Sequence, residues 1–115
     1  MSSELIRRLF DTVDARRWGD LHEVFHPDIV YERPGYEPLR GFGAVSDFYE
    51  HRRILARGQH IIEGSAVEGD RGAAWGRFEG ATRDDKPVDE RFADVYTFVD
   101  GKIRTRRSHF FRPAV

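Results

Sequence analysis

Asp94 is a carboxylate set in an aromatic row. Phe92, Asp94, Tyr96 and Phe98 alternate with Ala93, Val95, Thr97 and Val99, the two-residue period of a strand. Asp100-Gly101 tolerates positive φ and predicts a two-residue hairpin turn, after which a second strand returns from Ile103 to Phe111. On that pairing Phe98 meets Ile103, Tyr96 meets Thr105, Asp94 meets Arg107 and Phe92 meets His109. An acid in apolar surroundings is costly to ionise unless it is paired. Asp94 is therefore either a tuned acid/base or half of an ion pair, with Arg107 across the hairpin or with Arg33 from elsewhere. His109 shares its face and offers either a proton relay near neutral pH or a structural cross-strand pair.

Other side chains carry weaker chemistry. Tyr49 is an amphipathic aromatic residue whose hydroxyl either faces a pocket or closes a core contact. Trp75, Arg77 and Glu79 share one face of a strand, and Trp75, Phe92, Tyr96 and Phe110 are wall or core aromatics suited to a flat apolar ligand. His60 stands on a strand that borders the same region, whereas His51 falls in a charged stretch. His22 and His26 have the spacing of a helical metal pair, but Pro27 limits the helix there, so no metal is expected. There is no glycine-rich phosphate loop, and Ser46, Ser65 and Ser108 lack a nucleophile-elbow context, so no cofactor and no serine nucleophile are expected.

The chain that must position these groups has 115 residues, the size of one compact domain spanning 1–115. Lys+Arg 19 against Asp+Glu 20 leaves no basic excess to recruit nucleic acid or an anionic membrane, and a small molecule is the expected partner. The absence of cysteine removes disulfides and thiolate chemistry and fits a cytoplasmic location. The first residues, MSSELIRRLF, carry charges where a signal peptide needs an apolar run.

Apolar positions Leu5, Ile6, Leu9, Phe10 and Val13 predict a helix over 4–16, with Ser3 as its N-cap. Trp18, Leu21, Val24 and Phe25 predict a short second helix that stops at His26-Pro27, and Ile29 to Tyr31 a brief strand. Residues 36–43 read as a loop. Val45, Phe48, Tyr49 and Leu55 predict a third helix over 44–57, closed by Gly58. From His60 onward the period is two, giving a four-stranded antiparallel meander through 60–68, 73–82 and the hairpin already described. Helices followed by strands argue an α+β fold.

This order of elements, together with GDLHEVFHPDIVYERPG, FADVYTFVDGKI and the aromatic last strand, resembles the SnoaL-like polyketide cyclase and ketosteroid isomerase group of the nuclear transport factor 2-like superfamily. The resemblance implies a cone-shaped, curved antiparallel sheet wrapped around three N-terminal helices, enclosing a pocket, and a homodimer. It also implies roles for particular residues. The isomerase base falls at Arg33 and its oxyanion tyrosine at Leu9, so steroid isomerisation itself is not expected. The second oxyanion group, a protonated acid in that enzyme, falls at Asp94, and a supporting tyrosine at Tyr49.

In the related cyclases an aspartate on the Asp94 strand is the main acid/base. Likeness to limonene-type epoxide hydrolases would place an Arg-x-acid pair at Arg77 and Glu79, with Ser108 or His109 where those enzymes carry their last aspartate. The expected function is cofactor-independent isomerisation, cyclisation or dehydration, with Asp94, Tyr49 and His109 at the chemistry. Arg33, Trp75, Arg77, Phe92, Tyr96, Arg107 and Phe110 would contact the substrate. The alternative is a non-catalytic ligand-binding or dimerising module in which Asp94 is ion-paired.

Overall fold

The first apolar stripe forms helix α1 (Ser2–Asp14) in the computed structural model, which describes residues 2–112. It buries Leu5, Ile6, Leu9, Phe10 and Val13 against the sheet. A short 3₁₀ helix (Trp18–Glu23) replaces the expected second helix, and strand β1 (Phe25–Glu32) begins earlier than the sequence predicts, carrying His26 and Pro27 with it. Pro27 is tolerated because it falls in a register break of β1 between Phe25 and Val30, and the two-residue strand β2 (Leu39–Arg40) that forms inside the expected loop pairs only with Val30 and Tyr31.

The third helix is split. Helix α2 (Phe42–Asp47) runs into a π turn (Phe48–Arg52), closed by the Arg53 N–H on the Phe48 carbonyl at 2.8 Å, and Arg53 itself is extended. The expected helix over 44–57 therefore ends at Arg52. Residues from Leu55 onward join strand β3 (Leu55–Glu68) instead, because Leu55 buries against Phe78 and Val88 there, and Gly58 is a strand residue rather than a helix cap. Packing outweighs local helical periodicity at this junction.

Strands β4 (Arg71–Thr82), β5 (Pro87–Val99) and β6 (Lys102–Phe110) complete a curved, unclosed six-stranded sheet ordered β2-β1-β6-β5-β4-β3. Neighbours are antiparallel except β1 and β6, which run parallel and bring Tyr31 beside Arg106. Close approach of β3 and β4 requires Gly76, where an added Cβ would meet the Ile61 carbonyl oxygen at 2.0 Å. The helices cover the concave face, so the architecture is the α+β cone. No helix among the described residues is long and apolar enough to cross a membrane.

The hairpin turn forms as its sequence demands, with Asp100 at φ 54° and Gly101 at φ 72°. Phe98 pairs with Ile103, but a bulge then intervenes, so that Thr97 pairs with Thr105, Tyr96 with Arg106, Asp94 with Ser108 and Phe92 with Phe110. One extra residue on β6 reverses every side chain beyond it. Arg107 and His109, expected beside Asp94, are exposed on the convex face, and Arg106, Ser108 and Phe110 point inward in their place.

Candidate functional site

Strand alternation turns Phe92, Asp94, Tyr96 and Phe98 toward the helices, and Asp94 is left only 1% exposed. A buried carboxylate needs donors. Arg106 supplies Nε and Nη2, both 3.0 Å from Asp94 Oδ2, and the Tyr96 hydroxyl donates to the same oxygen at 3.0 Å. Asp94 Oδ1 is sealed without a partner. Arg106 Nη1 also donates to the Tyr49 hydroxyl at 2.6 Å, and its guanidinium lies 4.5 Å from the Tyr31 ring centre. Asp94 is thus ion-paired, and its partner is neither Arg107 nor Arg33.

The tyrosines around this pair are differentiated by their surroundings. Burial pushes Tyr49 up to about 12 against the pull of Arg106. Burial and the Asp94 charge hold Tyr96 well above the ordinary phenol, so it remains a donor. Burial acts on Tyr31 too, but Arg106 and Arg33 outweigh it and its pKa is lowered. The Tyr31 hydroxyl accepts from Arg33 Nη1 at 2.7 Å and stands 3.3 Å from Ser108 Oγ.

Opposite this cluster, the last residue of α1 meets β3. Asp14 Oδ1 is 2.5 Å from His60 Nδ1, and the His60 backbone N–H donates to Asp14 Oδ2 at 2.8 Å. A carboxylate in a helix's last turn opposes the helix dipole, so this arrangement depends on the donors His60 provides. Phe10, Phe78 and Phe92 enclose the imidazole, and burial lowers its pKa despite the Asp14 hydrogen bond. The ring is then neutral at pH 7, its Nδ1–H on Asp14 and its Nε2 lone pair without a hydrogen-bond partner among the described residues.

Both groups border one narrow cavity of only about 30 Å³ open to water-sized centres, so a ligand larger than a few waters enters by displacing its lining side chains. Of the residues expected there from sequence, Asp94, Arg33, Phe92 and Phe110 line it. Tyr49 and Tyr96 are buried behind the wall. The others lie elsewhere. His109 accepts from Arg107 Nε at 3.0 Å on the exposed convex face. Trp75 is 43% exposed, its ring over Gly64, because an outward-facing β4 residue cannot reach the concave side. Arg77 pairs with Glu79 at 2.6 Å on that same outer face, which removes the epoxide-hydrolase pair from the cavity.

Sequence reasoning missed Tyr31, Arg53, Arg106 and Asp14 in these positions. Asp14 carried a signal, since it follows Phe10 by one helical turn and so interrupts the apolar stripe. No group of three or more His, Cys, Asp or Glu among the described residues could hold a metal.

Comparison with known proteins agrees with this architecture. A family model for the SnoaL-like domain matches residues 6–106. No protein of curated function matches the chain. A nuclear transport factor 2-like protein from Burkholderia pseudomallei superposes with a TM-score of 0.85 at 17% identity, covering 94% of this chain and 88% of that one. A SnoaL-like polyketide cyclase structure from Jannaschia sp. CCS1 gives 0.81 at 20% identity, covering 95% and 84%. A limonene-epoxide-hydrolase-like enzyme of M. tuberculosis gives 0.78 at 17% identity, covering 93% and 80%. At these identities the likeness shows the fold alone.

Two outcomes are expected. Asp94→Ala strands a buried guanidinium and should lower stability in urea by about 3–5 kcal/mol, with Arg106→Met in the same chain restoring most of it. A loss below about 1 kcal/mol would mean the pair is not structural. The second outcome concerns pH. Because the folded pKa of His60 lies below its unfolded value, the unfolded chain binds more protons just below pH 6.5. Stability should therefore fall as pH drops through about 6.5 toward the folded pKa. His60→Gln should flatten that segment of a thermal-melt series, and an unchanged slope would show that His60 is not buried neutral.

Proposed function

The chain belongs to the SnoaL-like domain family, and on that footing we propose that it binds a compact, largely apolar molecule in its cavity and moves a proton within it. Isomerisation, cyclisation and dehydration of a carbonyl compound are the reactions this serves. The observation that carries the reading is the His60–Asp14 pair, an imidazole held by a carboxylate at one nitrogen and bordering the cavity. A neutral imidazole so held accepts a proton from a carbon acid at Nε2, and the Asp14 charge stabilises the cation that results. Tyr31, made more acidic by its two arginines, is the group suited to return a proton or to donate to a developing enolate oxygen. Asp94 acts as a positioning residue. It fixes Arg106, which fixes Tyr49 and lies against Tyr31, and with three donor atoms on Oδ2 it is held as an acceptor rather than a proton donor.

A second reading, a ligand-binding module without turnover, is favoured by the sealed, ion-paired state of Asp94. We further propose a homodimer across the convex face, where Trp75 and Val95 remain 43% and 40% exposed.

Proton transfer is checked by incubating the protein with the flat ketones 2-tetralone and 1-indanone in D₂O and following α-proton exchange by NMR. Exchange above the buffer rate is expected, reduced about 100-fold in His60→Gln and Asp14→Asn. Ketones that bind without any protein-dependent exchange would leave the module reading in its place. Sedimentation equilibrium should give twice the 13.4 kDa chain mass and the monomer mass for Trp75→Glu; a monomeric parent chain would dismiss the dimer.

A further inference from the structure

Arg53 sits where the π turn hands over to β3, and it is only 8% exposed. Its guanidinium carbon lies 5.4 Å from the Tyr49 ring centre and 5.7 Å from that of Phe78. Nε is sealed from solvent without a hydrogen-bond partner, and no carboxylate among the described residues stands within ion-pair distance of the side chain. The remaining charges in the wall are engaged. Arg106 is matched by Asp94, Arg33 donates to the Tyr31 hydroxyl, and Glu90 is held through both oxygens by Arg112 Nε at 3.0 Å. Arginine does not discharge on burial. Burial pulls the Arg53 pKa down, with the Tyr49 and Tyr31 phenols opposing it only in part, so the surroundings do not welcome the charge. An arginine held this way in a cavity wall lacks the counter-ion that buried charges ordinarily have.

We propose that the missing counter-ion is the ligand: the cavity takes a compact, flat organic monoanion whose carboxylate pairs with Arg53 while its apolar body lies among Phe78, Phe92 and Phe110. The inference rests on the reading of this cavity as a small-molecule site and adds the substrate class to it. One unmatched guanidinium answers one negative charge, and its planar fork fits the two oxygens of a carboxylate. The three phenylalanines exclude a polar body such as a sugar acid, whose hydroxyls would lose water without finding donors or acceptors. Arg53 also lines the same cavity as His60, so a bound acid presents its carbon skeleton to the base.

The test is calorimetric titration of the full chain with 2-naphthoate and with its uncharged isostere 2-naphthamide. The carboxylate should bind about ten-fold tighter or better, the value of a charged hydrogen-bonded contact. Arg53→Met keeps the aliphatic bulk and should abolish that preference while leaving amide affinity within about two-fold. Arg53→Lys should retain part of it. Equal affinity of the two compounds for the unaltered protein overturns the anion inference and leaves the cavity reading standing. A preference that survives in Arg53→Met overturns the assignment to Arg53. Failure of both compounds to bind the unaltered protein overturns this inference together with the reading beneath it.

Discussion

The structure depends on one buried ion pair. Asp94 and Arg106 lie on adjacent strands, 1% and 4% exposed, and neither charge is tolerable there without the other. Three tyrosines of the concave wall are arranged around them. Tyr96 donates to the carboxylate, Tyr49 accepts from the guanidinium, and Tyr31 stacks beneath it with its hydroxyl turned to Arg33 and Ser108. Such a network specifies one packing of the aromatic core, because any alternative packing leaves a charge or phenol unsatisfied in an apolar medium.

This arrangement divides labour among the ionisable groups. Asp94 is spent on holding Arg106, so the proton-handling capacity of the cavity passes to a different carboxylate, Asp14, acting through His60. Asp14 comes from the last turn of α1 and His60 from the opposite wall, so chemistry requires that helix and sheet be docked. Arg53, released from the expected helix by the π turn, then stands as the wall's unmatched cation. Irregular turns of this kind recur at functional sites because they aim a side chain that regular periodicity would bury elsewhere.

Much of the fold was legible. The row Phe92, Asp94, Tyr96, Phe98 faces inward as its alternation demands, and Asp100-Gly101 makes the turn its residues allow. The first helix and the succession of strands follow from apolar period, and the SnoaL-like family membership agrees with the element order read from the chain. Less of the site was legible. The pairing of Asp94 with Arg107 failed through a single extra residue on β6, whose neighbours Arg106 and Arg107 are the same amino acid and give pattern reasoning nothing to distinguish. The third helix failed at its end, where Leu55 found a better burial in the sheet.

By itself the sequence determined the first helix, the long strands after it, their apolar faces, and that a lone acid would sit in an aromatic row, because these follow from local period and side-chain chemistry. Only the tertiary structure decided which arginine met that acid, that Asp14 and His60 became partners across 46 positions, and that Arg53 was left without one. The reason is that a bulge, a π turn and a helix docked on a sheet are settled by the total burial of distant residues, which no short stretch of chain encodes.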